Sequence, residues 1–143
     1  MNNQFRYPVK LTKQKEGGYL VQFPDLPEAI TQGDDMEDSL NQAMDCLEEA
    51  IAYRITNRLE IPAPSQKKRS KYVSLPTTFA VKLALYLAMK ESRTTNMSLA
   101  LKLDCDEKEI RRLLDPHYPS KLPRIEQALN QLGKRLQVEI VSY

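Results

Sequence analysis

Three cations lie three and four residues apart in a stretch with the pattern of a short helix: Lys108, Arg111 and Arg112. Cations at this spacing share one helix face, and an arginine can grip a guanine edge with two parallel hydrogen bonds. We predict that Lys108 and Arg111 reach the base edges of duplex DNA. Four further cations are predicted to bind phosphate oxygens: Arg112, Lys102, Lys121 and Arg124.

These cations need a scaffold, and residues 96–114 have the pattern of a helix-turn-helix. Asn96 is predicted to cap the first helix, and Asp104 to take the left-handed position of the turn, which Gly adopts more easily. Asp106 is predicted to cap the second helix, with Glu109 completing a capping box. The alternative is a helical bundle with a solvated basic face. Apolar residues at helical spacing anchor both helices: Leu99, Ala100, Leu103, Ile110 and Leu113.

The two parts of the chain carry opposite charge. Residues 1–60 hold six Lys/Arg against eleven Asp/Glu, a net of −5, and residues 61–143 hold fifteen against eight, a net of +7. Because phosphate binding needs local positive charge, we predict DNA contact for the second part and a basic partner for the first. A chance difference between two small domains is the alternative. The run from Lys67 to Arg69 is likewise open to two interpretations, a phosphate contact or a solvated charge cluster.

Residues 1–76 are predicted to form an α+β domain with the element order ββ(β)αβ. Two alternating apolar stretches predict a hairpin, and Pro24 and Pro27 are expected to end its second strand. Residues 61–71 are rich in proline, serine and charge, which predicts a loop or linker. The predicted elements are strands at residues 5–11, 19–23, 29–31 and 73–75 and a long helix capped by Asp34 or Asp35.

Residues 77–143 are predicted to form an all-α domain that ends in a strand. An apolar helix begins near residue 79, the helix-turn-helix follows, and Pro123 opens a last helix that Gly133 ends. Residues 136–141 alternate as a strand with no partner inside a helical domain. We therefore predict that Leu136, Val138 and Ile140 pair with the same strand of a second chain and form a dimer. Pairing of the N-terminal domains as well would give a tetramer, which the sequence leaves open.

No cofactor, metal or enzymatic activity is predicted. Asp25, Asp34, Asp35 and Glu48 do not form a recognisable metal set, and His117 lies in a proline-rich loop without a nucleophile nearby. Cys46 and Cys105 lack metal-ligand spacing and are expected to be free thiols. The N-terminus lacks the apolar run of a signal peptide, and no stretch is long and apolar enough to span a bilayer. A cytoplasmic protein without a membrane partner is the expectation.

The stretch from Tyr19 to Gly33, followed by an acidic helix, resembles the N-terminal domain of HicB-type antitoxins. Further stretches resemble the branch of the family that carries a C-terminal helix-turn-helix: Leu75-Pro76, Lys82 to Tyr86, Arg111 to Pro116, Ser120 to Leu122 and Ala128 to Gly133. The resemblance implies an N-terminal domain with a partial ribonuclease H-like fold that masks a small HicA-type toxin, which cleaves mRNA. It also implies a C-terminal domain that represses the toxin–antitoxin operon by binding operator DNA.

The surface that faces the toxin is harder to locate. We predict Phe23, Asp25, Leu26 and Glu28, because Asp25 and Glu28 can imitate phosphate charge against a basic toxin. The alternative is that these residues pack and cap the corner between two strands. A different class of function also fits the two-part charge: a repressor whose N-terminal domain senses a small ligand and has no toxin partner.

Overall fold

A four-stranded antiparallel sheet in the order β3-β2-β1-β4 begins the fold. The computed structural model describes residues 5–142. The strands are β1 (Arg6–Lys13), β2 (Tyr19–Phe23), β3 (Leu26–Gly33) and β4 (Lys71–Ser74). One helix, α1 (Met36–Thr56), follows β3 and packs mainly against β3, with smaller contacts to β2 and β4. The α+β class and the predicted element order are confirmed.

The third strand is longer than predicted. It begins at Leu26, directly after the two-residue turn of Pro24 and Asp25, and includes Pro27. The second strand ends at Phe23, before Pro24, as predicted. The predicted start of the third strand near residue 29 was too late, because β3 is an edge strand and accommodates Pro27. An edge strand has one side without hydrogen-bonded neighbours, so the missing N–H of a proline costs little there.

The helix α1 starts and packs as its sequence indicates. Asp35 is its N-cap and accepts a hydrogen bond from the Asp38 backbone N–H at 2.8 Å, while the Asp38 carboxylate accepts from the Asp34 N–H. Its apolar stripe lies against the sheet, and the core is formed by side chains from both layers. Its large buried side chains include Tyr7, Val21, Phe23, Leu26, Leu47 and Ile51.

Gly33 is a point of close approach between β3 and α1. A Cβ atom built on Gly33 would lie 2.4 Å from the Cα atom of Ser39. We expect Gly33→Ala to lower the free energy of unfolding by about 1–3 kcal/mol, because backbone must shift to admit the methyl group. Urea unfolding measures this. Gly17→Ala is the control, since its Cβ meets nothing within 4 Å and only its positive φ is strained. Unchanged stability of Gly33→Ala would contradict the close approach.

The second part of the chain is helical. Its helices are α2 (Thr77–Ser92), α3 (Asn96–Lys102), α4 (Glu107–Leu114) and α5 (Leu122–Gln131). The chain divides into two compact units between Ala80 and Val81, and we call these the N-terminal and C-terminal units. In the C-terminal unit the core is formed by apolar side chains from all four helices. They include Leu83, Leu85, Leu99, Ile110 and Ile125.

The predicted terminal strand is not formed within the single chain. Residues 134–142 have no regular secondary structure, and among residues 5–142 they pair with no strand. Val138 is 71% exposed and Ile140 is 96% exposed, whereas Leu136 is partly covered. Pairing of this segment with a second copy stays a prediction.

Candidate nucleic-acid interface

The helices α3 and α4 are joined by a four-residue turn with defined caps. Thr95, and not Asn96 as predicted, caps α3: its Oγ1 accepts from the Ser98 N–H at 3.0 Å. Asn96 is instead the first helical residue, and its side chain is buried. Asp104 has a φ of 52°, so the left-handed turn residue is confirmed. Asp106 caps α4 by accepting from the Glu109 N–H at 2.9 Å.

The capping box predicted for α4 is only half formed. Asp106 makes its bond, but the Glu109 carboxylate accepts a 2.6 Å hydrogen bond from Arg124 on α5. This bond holds the pKa of Glu109 below its usual range and raises that of Arg124. An arginine gives a carboxylate a stronger hydrogen bond than a backbone N–H does, because both partners are charged.

One face of α4 is anchored and the other is open to solvent. Ile110 and Leu113 are buried in the C-terminal unit, which fixes the rotation of the helix about its axis. Lys108, Arg111 and Arg112 are exposed on the remaining surface. The structure therefore presents the cations predicted to meet DNA on one short helix whose orientation the core determines.

The cations predicted to bind phosphate differ in exposure and in how firmly they are bonded within the chain. Lys102 and Lys121 are exposed, and the Arg112 guanidinium lies 5.3 Å from the centre of the Tyr118 ring. Arg124 is half-buried and is engaged with Glu109 and with the Gln127 side chain at 2.8 Å. Its structural role is to join α4 to α5, so a phosphate contact from Arg124 requires it to give up bonds within the chain.

A buried lysine holds the end of α4. Lys82 on α2 is only 2% exposed and donates to the Arg112 carbonyl at 2.9 Å and to the Ser120 hydroxyl at 2.8 Å. Its ammonium also lies 5.9 Å from the centre of the Tyr118 ring. A cation at the C-terminal carbonyls of a helix is favourable because of the helix dipole. Lys82 thus fastens both α4 and the loop before α5, a role missed in the sequence although a single lysine in an apolar helix was its signal.

Burial lowers the pKa of Lys82 from 10.5 to about 8, with Asp115 opposing the shift. Between pH 8 and 10.5 the unfolded chain therefore binds more protons than the folded one at this site. We expect the contribution of Lys82 to the free energy of unfolding to rise with pH through that window, by up to about 1.4 kcal/mol per pH unit. Lys82→Met should lack this rise, while the exposed-site control Lys102→Met keeps it. Urea unfolding from about pH 7 to about pH 11 measures the difference, and parallel curves for all three proteins would contradict it.

The corner between β2 and β3 is mostly packed and bonded within the chain. Phe23 is 2% exposed and Leu26 is fully buried, because both side chains point into the layer between sheet and helix. The Asp25 carboxylate accepts from the backbone N–H and the hydroxyl of Ser65, both at 2.8 Å. Burial and bonding therefore favour the corner-packing alternative for Phe23, Asp25 and Leu26 over direct contact with a partner.

Glu28 is exposed, unlike the other three residues predicted to face the toxin. Its carboxylate accepts two hydrogen bonds from Arg54, at 2.6 and 2.9 Å, and this pairing lowers the pKa of Glu28. The same arginine donates to the Glu60 carbonyl at 2.7 Å. Other carboxylates are exposed at the start of α1 and along it: Asp34, Asp35, Glu37, Asp45 and Glu49.

Neither a metal centre nor a membrane span is found in the part of the chain that the structure describes. Among residues 5–142, no three histidine, cysteine or acidic side chains are placed to hold a metal ion together. Within the same residues, no helix combines the length and apolar character that crossing a membrane requires. Cys46 and Cys105 are free thiols, as predicted, and burial raises the pKa of each.

Known proteins match this chain over nearly its whole length. A family model described as HicB_like antitoxin of bacterial toxin-antitoxin system matches residues 6–84. Antitoxin HicB 2 of Photorhabdus laumondii is 40% identical over 138 residues, covering 96% of this chain and 98% of the relative. Antitoxin HicB of Escherichia coli K12 is 35% identical over 137 residues, covering 95% and 99%. These alignments extend past the family match and include the α3–α4 pair.

Proposed function

The chain belongs to the family of HicB-like antitoxins of bacterial toxin–antitoxin systems, and on this basis we propose two binding activities. The first is neutralisation of a HicA-type toxin that cleaves mRNA. The second is repression of its own operon through binding to operator DNA. Residues 1–76 are assigned to the toxin and residues 77–143 to DNA.

The observation that carries the DNA assignment is the outward face of α4. In a helix-turn-helix the second helix enters the major groove and presents residues near its N-terminus to base edges. Lys108 and Arg111 occupy such positions in α4, and both are exposed. Arg112, Lys102 and Lys121 are then phosphate contacts, which position the protein without reading sequence. Arg124 is left out of this set because Glu109 and Gln127 hold it.

Charge supports the toxin assignment. A toxin that acts on RNA needs a basic surface, and α1 with its N-terminal loop exposes carboxylates that would attract one. Glu28 is the one residue of the predicted corner whose exposure suits direct contact. Phe23, Asp25 and Leu26 support that corner from within.

A dimer is part of the proposal. Helix-turn-helix proteins commonly bind two half-sites one helical turn apart, so operator symmetry mirrors protein symmetry. Leu136, Val138 and Ile140 are the proposed contacts between copies. The exposure of Val138 and Ile140 supports this, because apolar side chains in a solvated tail gain stability when a second strand covers them.

Co-expression tests the toxin assignment. We expect the neighbouring gene to encode a small basic protein that arrests growth when it is expressed alone and is neutralised by this chain. Asp45→Lys should weaken capture of that protein about tenfold or more at low salt, because it reverses one of the exposed negative charges along α1. The matched control is Glu16→Lys, a reversal at the β1–β2 turn that should change little. Thermal stabilisation by a small metabolite, without binding to any basic protein, would instead favour the ligand-sensing repressor.

A further inference from the structure

The N-terminal unit is not uniformly acidic. Residues 16–53 contain ten Asp/Glu and no Lys or Arg, whereas residues 6–15 and 61–71 each contain four Lys/Arg and no acidic residue. The order of the strands brings the two basic segments together, because β1 and β4 are neighbours at one side of the sheet. Most of the acidic residues lie on β3, on α1 and in the loop between them. We call the exposed cations of this side the basic edge: Arg6, Lys10, Lys13, Lys15, Lys67, Lys68, Arg69 and Lys71.

We propose that the basic edge binds the phosphate backbone of duplex DNA. The inference rests on the proposed operator binding and adds to it a contact from the unit otherwise assigned to the toxin. Among residues 5–142 no ion pair joins a cation of the basic edge to a carboxylate. Exposed like charges on neighbouring segments repel each other, and DNA phosphates relieve that repulsion. Binding is favoured further because the DNA releases its condensed counterions.

The turn at the centre of the basic edge is held in place. The Tyr72 hydroxyl accepts from the Lys67 backbone N–H at 2.8 Å and donates to the Lys67 carbonyl at 3.0 Å. The Arg6 guanidinium lies 5.0 Å from the centre of the Tyr72 ring, so β1 supports the same residue. Arg69 has a φ of 60°. The backbone that presents Lys67, Lys68 and Arg69 is therefore fixed by tyrosine contacts, which lowers the entropy cost of binding.

Duplex DNA fits this surface better than single-stranded RNA does. Proteins that bind single strands stack the bases on exposed aromatic rings. In the segments of the basic edge, Tyr7 is buried and Tyr72 is half-buried beneath Arg6. The edge thus offers charge without a stacking platform. Because both units belong to one chain, DNA bound by α4 has a raised effective concentration for the N-terminal unit.

The test removes charge from the turn and keeps its backbone. Lys67→Gln, Lys68→Gln and Arg69→Asn are combined, because asparagine tolerates a left-handed φ and the bonds to Tyr72 use only main-chain atoms of Lys67. The matched control is Lys67→Arg, Lys68→Arg and Arg69→Lys, which retains the charge. Fluorescence anisotropy measures the affinity of the full chain for operator duplex, random duplex and single-stranded RNA over a range of salt concentrations.

The charge-removal variant should bind both duplexes at least about tenfold more weakly at about 0.1 M salt. The plot of log affinity against log salt should flatten by about 0.9 for each phosphate that the variant no longer neutralises, and the charge-retaining control should match the wild type. Unchanged slopes on both duplexes, or a weakening seen only on RNA, would overturn the inference. If the wild type shows no preference for the operator, the proposed repressor function fails, while the slopes on random duplex still test the basic edge.

Discussion

Replacing Arg111 and Arg112 together with alanine should abolish preferential binding to the operator and leave toxin neutralisation intact. Both side chains are exposed on the face of α4 opposite the anchoring Ile110 and Leu113. A base contact by arginine contributes about 1–3 kcal/mol of discrimination, and a phosphate contact adds affinity for any sequence. We expect the affinity for the operator to fall about 100-fold or more, measured by anisotropy at constant salt.

The matched control for this variant removes two other exposed arginines of the C-terminal unit, Arg93 and Arg135, neither of which lies on α4. It changes net charge equally and should reduce operator binding far less. Unfolding curves must show that both variants fold, because Arg112 also contacts the Tyr118 ring. Loss of toxin neutralisation in a folded Arg111→Ala/Arg112→Ala protein would contradict the assignment of the two activities to different parts of the chain.

Phe23→Ala should weaken toxin capture more than the preference for the operator, the reverse of the effect expected for Arg111→Ala/Arg112→Ala. The Phe23 ring is 2% exposed within the layer between the sheet and α1, so its removal leaves a cavity. Loss of a buried phenyl ring costs about 3–5 kcal/mol, a large fraction of the stability of a small unit. We expect toxin capture to be lost or strongly weakened, measured by co-purification. The preference of α4 for operator over random duplex should persist, at an affinity lowered by the loss of the basic edge in the destabilised unit.

Ile30→Ala is the control for this second change. Ile30 lies on β3 of the same sheet but is 54% exposed, so its truncation leaves no cavity and should alter stability by less than about 1 kcal/mol. Equal destabilisation by the two substitutions would show that the layer between sheet and helix is not the core of this unit. Complete loss of operator binding in Phe23→Ala would show that α4 depends on the N-terminal unit.

Most features determined by nearby residues were predictable from the sequence, although the cap of α3 was placed one residue too late. The cap of α4 by Asp106, the cap of α1 at one of two adjacent aspartates and the left-handed Asp104 each depend on residues within one helical turn. The hairpin of β1 and β2 follows from alternating apolar residues on either side of Gly17 and Gly18. In each of these cases the chemistry of a short segment has one favourable structure.

Features that depend on distant partners were missed. The Glu109 carboxylate bonds to Arg124, fifteen residues away, so the local capping box was the wrong expectation. The role of Lys82 depends on Arg112 and Ser120, which only the packing of α2 beside α4 brings within reach. Asp25 likewise finds Ser65 forty residues along the chain. Sequence spacing contains no information about such pairs until the fold is known.

The arrangement of charge was only partly predictable from the sequence. Counting residues correctly separates an acidic first part from a basic second part, and this difference motivated the two-activity proposal. Counting alone misses the basic edge, because its eight cations come from two segments that lie far apart in the sequence of the N-terminal unit. Sheet order brings β1 and β4 together, and this arrangement turns an acidic unit into one with two oppositely charged sides.

Affinity for the promoter of its own operon, compared with a shuffled duplex of the same length and composition, tests the central claim most directly. Both duplexes offer the same phosphate charge, so only contacts to base edges and DNA shape separate them. If α4 reads sequence, the full chain should prefer the promoter by about 100-fold or more at physiological salt. Equal affinity for the two duplexes would mean that the exposed cations of α4 bind charge alone, and would contradict the assignment of a repressor.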